Sequence, residues 1–247
     1  MTFKAKALSL VRRGKREVIL TAIGFNGGNN LFKWQLAYSR TLDKGLISKV
    51  LYFPNQDAWL EMFPGLRNLS ITSDQIRFTD RRATYMGAAQ GVDYTPQERA
   101  RFIKDVLLTS DGFKQSLERA QAFVRADDLV INVRRGDYYN SRFEPEFGIN
   151  IVEYVRQALA KQLALGPVGR VVLVSDNVPW CVDNLTHLAP QLEFVVNENR
   201  RDMFDDLAVL ACAKRLILAN STFSYWGAFI AEVLGAQLEN IVAPAFH

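Results

Sequence analysis

The chain has 247 residues, of which 49% are hydrophobic and 23% charged, as is typical of a folded globular protein and not of a disordered one. The formal net charge is +4, and six basic side chains lie within the first sixteen residues: Lys4, Lys6, Arg12, Arg13, Lys15 and Arg16. Such a basic terminus favours anions, including an anionic membrane surface or nucleic acid. A solvated basic terminus without any partner is an equal alternative.

Cysteine and histidine usage excludes several kinds of site. Cys181 and Cys212 form no Cys-x-x-Cys pair, and His187 and His247 are the only histidines. A His-based metal site or a Ser-His-Asp triad therefore has little to build on. Neither a transmembrane run of about 18 apolar residues nor a signal-peptide pattern is present, so we expect a cytoplasmic protein. Peripheral contact with the inner face of the membrane, through the basic terminus, is left open.

The first half of the chain begins with a strand, a glycine-rich turn and a helix. Residues 17–23 read as the strand, residues 24–30 (Gly-Phe-Asn-Gly-Gly-Asn-Asn) as the turn and residues 31–44 as the helix. A second strand is predicted at 50–53, and residues 54–95 are irregular, with room for a short sheet and long loops. Thr95 and Glu98 have the spacing of a helix-capping box, which predicts helices over 96–109 and 111–125.

The second half alternates strands and helices in a regular way. Strands are predicted at 129–133, 170–174, 192–196, 215–219 and 240–242, and helices at 150–165, 178–188, 203–213 and 223–234. This alternation predicts a mostly parallel sheet covered on both faces, as in a Rossmann-like nucleotide-binding unit. We place the boundary near residue 126, which divides the chain into an N-terminal lobe, 1–125, and a C-terminal lobe, 126–247.

Polar clusters follow three predicted strands of the second half. They are Arg134-Arg135-Gly136-Asp137, Ser175-Asp176-Asn177 and Asn220-Ser221-Thr222. The carboxyl ends of parallel strands share one edge of the sheet, and a guanidinium matches phosphate with two parallel hydrogen bonds. The clusters therefore indicate a site for a phosphate-bearing ligand. The alternatives are two solvated arginines and, for Ser175 and Asp176, ordinary helix capping.

Four segments together resemble the family 11 glycosyltransferases, the α-1,2-fucosyltransferases. Residues 27–32 (Gly-Gly-Asn-Asn-Leu-Phe) are similar to the family's first glycine box, and residues 132–138 (Asn-Val-Arg-Arg-Gly-Asp-Tyr) to its His-x-Arg-Arg-Gly-Asp-Tyr box. Residues 174–181 resemble its Ser-Asp-Asp/Asn-x-x-Trp-Cys segment, and residues 219–228 its Asn-Ser-Thr-Phe-Ser-Trp-Trp box. Asn132 departs from the family histidine, and Asn29-Asn30 depart from the usual glycine box.

The resemblance implies a GT-B fold of two Rossmann-like lobes, with the acceptor on the N-terminal side and the donor in the C-terminal lobe. It implies transfer of L-fucose from GDP-β-L-fucose, with inversion and without a metal or other cofactor, to a hydroxyl of an oligosaccharide or lipid-linked glycan. Surface polysaccharide or glycolipid synthesis would be the setting. Two alternatives are transfer from another GDP-sugar and a non-catalytic homologue that binds a nucleotide sugar or glycan. No nucleic-acid partner is expected.

The resemblance also implies roles for individual residues. Arg134 would neutralise the β-phosphate, and Arg135 would hold the site in shape. Asp206 would recognise guanine, because a carboxylate can accept both N1–H and N2–H. The remaining donor-binding positions that the motifs imply are Gly27, Gly28, Asn29, Asn132, Arg135, Ser175, Asp176, Asn220, Ser221 and Thr222.

An acceptor hydroxyl must lose its proton during transfer, and a positioned carboxylate can accept that proton. Asp137 is the nearest candidate to the expected phosphate site. Glu144 and Glu146 in the following loop are rivals. Asp137 has a structural alternative, which is to hold Arg134 or Arg135 in place.

Overall fold

Two compact units make up the fold, the first formed by Met1–Phe113 and the second by Lys114–His247. The computed structural model describes residues 15–20, 27–85, 94–136, 139, 141 and 144–244. The side chains of residues 44, 146 and 147 lie outside that description. Each unit contains its own parallel sheet.

The first unit is built on a four-stranded parallel sheet in the order β3-β2-β1-β4. Its strands are β1 (Arg16–Leu20), β2 (Ile47–Leu51), β3 (Ser70–Ile71) and β4 (Arg81–Thr84). Its helices are α1 (Asn29–Lys44), α2 (Asp57–Met62) and α3 (Pro96–Phe102), which continues as a π-helical turn over Ile103–Leu107. Helix α4 (Asp111–Phe123) crosses from the first unit to the second.

The predicted strand–turn–helix start of the first unit is confirmed where the structure describes it. β1 is apolar and buried at its centre. α1 begins at Asn29, two residues after Gly27, whose φ of +54° lies in the left-handed region that favours glycine. The predicted capping box is present: Thr95 accepts from the Glu98 backbone N–H, and the Glu98 carboxylate accepts from the Thr95 backbone N–H. Residues 21–26, which carry most of the glycine-rich turn, lie outside the described residues.

The second unit has a five-stranded parallel sheet in the order β7-β6-β5-β8-β9. Its strands are β5 (Leu129–Val133), β6 (Arg170–Ser175), β7 (Glu193–Val196), β8 (Arg215–Ile217) and β9 (Ile241–Val242). Its helices are α5 (Glu144–Phe147), α6 (Ile151–Ala164), α7 (Val178–Leu185), α8 (Met203–Cys212) and α9 (Thr222–Val233). The predicted alternation of strands and helices is confirmed, and every predicted strand of this half is present.

The strand order places a crevice between β5 and β8. The chain starts in β5, moves outward through β6 to β7, and then returns to build β8 and β9 on the other side of β5. In such doubly wound sheets, ligands bind outside the carboxyl ends of the strands where the direction of winding reverses. The residues that follow β5 and β8 therefore lie at this switch point.

The core of the second unit surrounds β5 and β6, because every residue of both strands is buried. Their β-branched side chains suit a strand covered on both faces, and full burial of each Val or Ile contributes about 1.5–3 kcal/mol. At the opposite end of these strands Arg170 binds Asp128 with two hydrogen bonds, of 2.8 and 3.0 Å. This buried ion pair joins the start of β6 to the residue before β5.

Two predictions about the termini and boundaries remain predictions. The boundary between the units at 113–114 and the predicted one at 125–126 lie near the two ends of α4, which links the units. Of the basic N-terminal run, only Lys15 and Arg16 are described, and Arg16 forms an ion pair with Asp80 at 2.6 Å. Among the described helices, none is both long and apolar enough to cross a membrane.

Candidate functional site

Asp176 holds the turn that follows β5. Its Oδ2 lies 2.9 Å from Nη1 of Arg134, and its Oδ1 accepts from the backbone N–H of Arg135 at 2.9 Å. Since Asp176 follows β6, one carboxylate fastens the ends of two neighbouring strands together. Two of the three polar clusters predicted to converge at this edge, those after β5 and β6, are therefore in direct contact.

Arg135 is enclosed between two aromatic rings. Its guanidinium carbon lies 4.2 Å from the ring centroid of Trp180 and 4.7 Å from that of Tyr139. A cation between aromatic faces gains about 0.5–2 kcal/mol, with the larger value where water is excluded. Arg135 is thus fixed by α7 and the loop after β5, whereas 42% of the Arg134 side chain is exposed. The predicted division between a structural Arg135 and a phosphate-binding Arg134 stays a prediction.

Gly136 allows the Arg134 side chain to fold back over the turn. Its φ is +25°, and a Cβ at this position would lie 2.7 Å from Cζ of Arg134. Any other residue would therefore displace the guanidinium. The three residues that follow β5 therefore differ in their surroundings: Arg134 is bound by Asp176, Arg135 lies between two rings, and Gly136 leaves room for the Arg134 guanidinium.

A small cavity of about 10 Å³ lies under the turn, at the switch point between β5 and β8. It is lined by Asn132 and Arg134 from the end of β5, by Asn220 after β8, and by Tyr139 and Tyr154. The Tyr154 hydroxyl lies 2.8 and 3.1 Å from the carbonyl oxygens of Leu218 and Val242, and burial raises the pKa of this phenol. The cavity brings three predicted donor-binding residues together: Asn132, Arg134 and Asn220.

Asn132 is buried and connects three elements. Its Nδ2 donates to the carbonyl oxygen of Val174 at 2.9 Å, and its Oδ1 accepts from the hydroxyl of Ser224 on α9. These bonds fix the spacing between β5, β6 and α9. The amide that replaces the family histidine therefore has a structural task in this chain, and donor contact by Asn132 stays a prediction.

Helix α9 begins at Thr222, shortly after β8 ends at Ile217, so its N-terminus lies near the carboxyl end of that strand. Ser221 caps the helix by accepting from the Phe223 backbone N–H at 3.3 Å, and Thr222 is the first helical residue. The positive end of a helix dipole favours phosphate. Ser175 is occupied locally, since its Oγ accepts from the Asn177 backbone N–H at 3.0 Å. Asn177, rather than Ser175 or Asp176, caps α7.

Two neighbouring acids at the start of α8 have different partners. Asp205 is buried and bound to Arg119 at 2.7 Å and to Arg201 at 3.2 Å. Asp206 is bound to Arg200, whose Nε lies 2.8 Å from both carboxylate oxygens. Burial raises the pKa of Asp206 to about 6, against the opposing effect of Arg200. Asp206 is thus a carboxylate that gains a proton just below neutral pH.

The remaining predicted residues lie elsewhere. Gly27, Gly28 and Asn29 lie in the first unit, where Gly28 occupies the N-cap position of α1 and Asn29 is its first residue. Asp137 and the side chain of Glu146 lie outside the described residues, and Glu144 begins the short helix α5. In the described part of the chain, no group of three or more Asp, Glu, His or Cys side chains is placed to hold a metal.

Sequence reasoning missed the partners of the predicted residues. Trp180 and Tyr139 enclose Arg135, Ser224 holds Asn132, and Arg200 pairs with Asp206. Trp180 and Ser224 lie inside two of the segments that carry the family resemblance, so their presence there was the available signal. Their contacts join residues far apart in the chain, which no local spacing reveals.

The two parallel sheets, with helices on the connections between strands, define a protein of two Rossmann-like α/β units, and the predicted α/β, GT-B-like fold class is confirmed. The chain belongs to glycosyl transferase family 11, whose sequence profile matches residues 95–245. The match covers nearly all of the second unit and the last helices of the first.

Individual relatives match over shorter stretches. The Galactoside alpha-(1,2)-fucosyltransferase 2 of Oryctolagus cuniculus is 28% identical over 144 residues, which cover 53% of this chain and 40% of that protein. The O-antigen biosynthesis glycosyltransferase WbnK of Escherichia coli is 26% identical over 106 residues, covering 42% and 35%. The matched part of the chain thus spans about a third to two fifths of the length of these relatives.

A solved structure of the NodZ alpha-1,6-fucosyltransferase soaked with GDP-fucose aligns with 88% of this chain and 93% of that chain. Its TM-score is 0.49 and its sequence identity 14%.

Proposed function

We propose that the chain is a fucosyltransferase, which moves L-fucose from GDP-β-L-fucose to a hydroxyl of a glycan acceptor. The carrying observation is the position of Arg134, at the switch point of the second sheet and held by Asp176 beside Asn220. Membership of glycosyl transferase family 11 supports this proposal. The names of the Oryctolagus cuniculus and Escherichia coli relatives support fucosyl transfer and glycosyl transfer respectively.

The leaving diphosphate determines what the site must do. Transfer breaks the bond between the fucose anomeric carbon and the β-phosphate oxygen, and the electron pair of that bond leaves with GDP. An arginine fork placed at the developing charge stabilises it most as the bond breaks. We assign this task to Arg134, with the N-terminus of α9 at Ser221 and Thr222 as a second source of donors. Transfer is therefore expected to continue in EDTA.

The acceptor hydroxyl supplies the electron pair that forms the new bond from the opposite face, so the β-linked donor gives an α-linked product. The hydroxyl proton passes to a base, for which Asp137 stays our sequence-based candidate. By analogy with the names of the relatives we propose a galactoside acceptor and an α-1,2 linkage. Surface polysaccharide or glycolipid synthesis, in the cytoplasm or at the inner face of the membrane, is the setting we propose.

Guanine selection is assigned to Asp206. Its two oxygens each bind Arg200, and each retains a lone pair that can accept N1–H or N2–H of guanine. This recognition does not depend on the sugar, so another GDP-sugar is the second candidate donor.

A transfer assay tests the proposal. The protein is incubated with GDP-fucose and lactose, GDP release is measured, and the product is examined by NMR for an α-fucosyl residue at the galactose 2-hydroxyl. Arg134→Ala should lower the transfer rate by about a hundredfold or more. Arg156→Ala is the matched control, because Arg156 is exposed on α6 and pairs only with its helix neighbour Glu153 among the ion pairs of the described residues. Undiminished transfer by Arg134→Ala, or a β-linked product, would overturn the assignment.

A further inference from the structure

The first unit contains a second, much larger cavity, of about 580 Å³, beside the edge strand β3. It is bordered by residues that directly follow the carboxyl ends of two parallel strands: Tyr52 follows β2 and Thr72 follows β3. Helix α2 contributes Asp57, Leu60 and Glu61. The volume lies within the range of small-molecule sites, about 300–1,000 Å³.

The wall of this edge-strand cavity is held in place by hydrogen bonds. The Tyr52 backbone N–H donates to the carbonyl oxygen of Ile71 at 2.9 Å, and Ser70 accepts from the Trp34 indole N–H at 2.9 Å. Ser70 in turn donates to the carbonyl oxygen of Leu66 at 2.8 Å. The cavity wall is therefore already formed without a ligand, which lowers the entropy lost on binding.

The polar lining combines acceptors and donors at short range. The Tyr52 hydroxyl donates to Oδ1 of Asp57 at 2.7 Å, which leaves the second carboxylate oxygen of Asp57 for a ligand. Glu61 adds a further carboxylate, and Arg67 adds a guanidinium with five donors. A polyol, whose hydroxyls both donate and accept, matches such a mixed set. A phosphate does not, because two carboxylates oppose one guanidinium.

The apolar part of the lining completes the match to a sugar ring. Leu60 and Ile71 are buried beside the cavity, and Tyr52 offers a partly exposed ring. Aromatic and aliphatic surface covers the C–H face of a pyranose, while the polar groups bind its equatorial hydroxyls. We infer that the edge-strand cavity is a subsite for a neutral sugar residue of the acceptor glycan. That the bound sugar belongs to the acceptor substrate rests on the proposed function.

The test uses the whole chain and two neutral sugars, lactose and methyl β-D-galactoside. Their dissociation constants are measured by NMR titration for the wild type, for Asp57→Asn and for Arg67→Gln. Asp43→Asn and Arg77→Gln are matched controls, since both residues are exposed in the first unit and do not line the cavity. Affinity for GDP-fucose is measured in every variant, which also shows that each is folded.

We expect each cavity variant to lose about tenfold in sugar affinity, as for a lost hydrogen bond to a charged group, and to keep its affinity for GDP-fucose. The controls should match the wild type. Sugar affinity unchanged in both cavity variants, or no binding of either sugar by the wild type, would overturn the subsite. Failure of GDP-fucose binding by the wild type, with sugar binding and its Asp57 dependence intact, would instead overturn the proposed function and leave a glycan-binding cavity.

Discussion

At the scale of single residues, Arg134 and Arg135 are neighbours with different surroundings. Arg135 lies between the rings of Trp180 and Tyr139, while Arg134 is half exposed and fastened on one side by Asp176. A guanidinium held in one position but still open to solvent can meet a phosphate without first losing much conformational freedom. The turn after β5 is therefore organised around the position of Arg134.

Replacing Gly136 tests whether that position matters. Gly136→Ala should lower the affinity for GDP-fucose by about tenfold, because the new Cβ displaces the Arg134 guanidinium from its place over the turn. Gly166→Ala is the control: its φ is +144°, so alanine is strained there too, but nothing lies within 4 Å of the new Cβ. The strain should cost each variant about 1–2 kcal/mol of unfolding free energy.

Calorimetric titration of both variants and a denaturant melt of each distinguish the two effects. Equal loss of GDP-fucose affinity in the two variants would show that strain alone, and not the place of Arg134, is responsible.

Protonation of Asp206 should affect the stability of the fold and the binding of the donor in opposite directions. Burial raises the pKa of its carboxyl to about 6, so the folded chain holds this proton more tightly than the unfolded chain. Its contribution to stability is therefore complete at low pH and is lost as the pH rises through about 6. Guanine recognition needs the carboxylate, so donor binding should instead strengthen over the same rise.

We predict that the dissociation constant of GDP-fucose decreases as the pH is raised from about 5 to about 7, across the pKa of Asp206. The phosphates of this donor are diesters and lack the second ionisation of a monoester near pH ~6, so the ligand does not itself titrate there. Asp206→Asn should bind more weakly and show a flat profile. A profile that is the same for Asp206→Asn and the wild type would exclude Asp206 as the titrating group.

At the scale of elements, the sequence predicted the strands and helices that a pattern within their own residues specifies. β5 occupies the predicted residues 129–133, because a buried β-branched run is bounded by polar residues on both sides. The short sheet allowed for residues 54–95 could not be resolved into β3 and β4, since these strands have two and four residues and β4 is Arg-Arg-Ala-Thr. β4 forms through parallel pairing with β1 and through the Arg16–Asp80 ion pair, which are tertiary contacts.

In the candidate site, too, features set by local sequence could be predicted and features set by tertiary contacts could not. The arginines after β5 and the Asn-Ser-Thr segment after β8 could be placed from the sequence, because strand ends in a parallel sheet converge. The contacts of Arg135 with Trp180 and of Asn132 with Ser224 could not, since they depend on how helices pack across the sheet. The role of Asp137 as the base stays a prediction, because Asp137 lies outside the described residues.

The close packing of α8 against α9 requires a residue without a side chain at position 227, where the sequence has glycine. A Cβ at Gly227 would lie 2.6 Å from Cβ of Leu210, which is closer than two non-bonded carbon atoms can approach. Gly227→Ala should therefore lower the unfolding free energy by about 1–3 kcal/mol. Denaturant unfolding of Gly227→Ala, Leu210→Gly and the double variant measures the coupling, because only glycine at position 210 removes the Cβ that the new methyl group would meet. In the Leu210→Gly background the cost of Gly227→Ala should shrink, and an unchanged cost would show that Leu210 is not the residue with which the new methyl group clashes.

At the scale of the whole molecule, the chain forms two Rossmann-like units, to which we assign different parts of the proposed reaction. The second unit, matched over nearly its whole length by the family 11 profile, holds Arg134, Asp206 and the switch point. The first unit is matched only from residue 95, so its sugar subsite rests on its own geometry: the large cavity, its mixed polar lining and its preformed wall. Donor binding and acceptor binding are thus expected to respond to separate sets of substitutions.

Calorimetric titration with GDP-fucose, GDP-mannose, GDP and UDP, on the wild type and on Arg134→Ala, tests the central claim most directly. We predict that the wild type binds GDP-fucose in preference to GDP-mannose and UDP. Arg134→Ala should weaken that binding by about tenfold or more, the effect of losing a charge-assisted phosphate contact, while Arg156→Ala leaves it unchanged. A folded wild type that binds none of the guanine nucleotides, or binds GDP-fucose equally well without Arg134, would contradict the account.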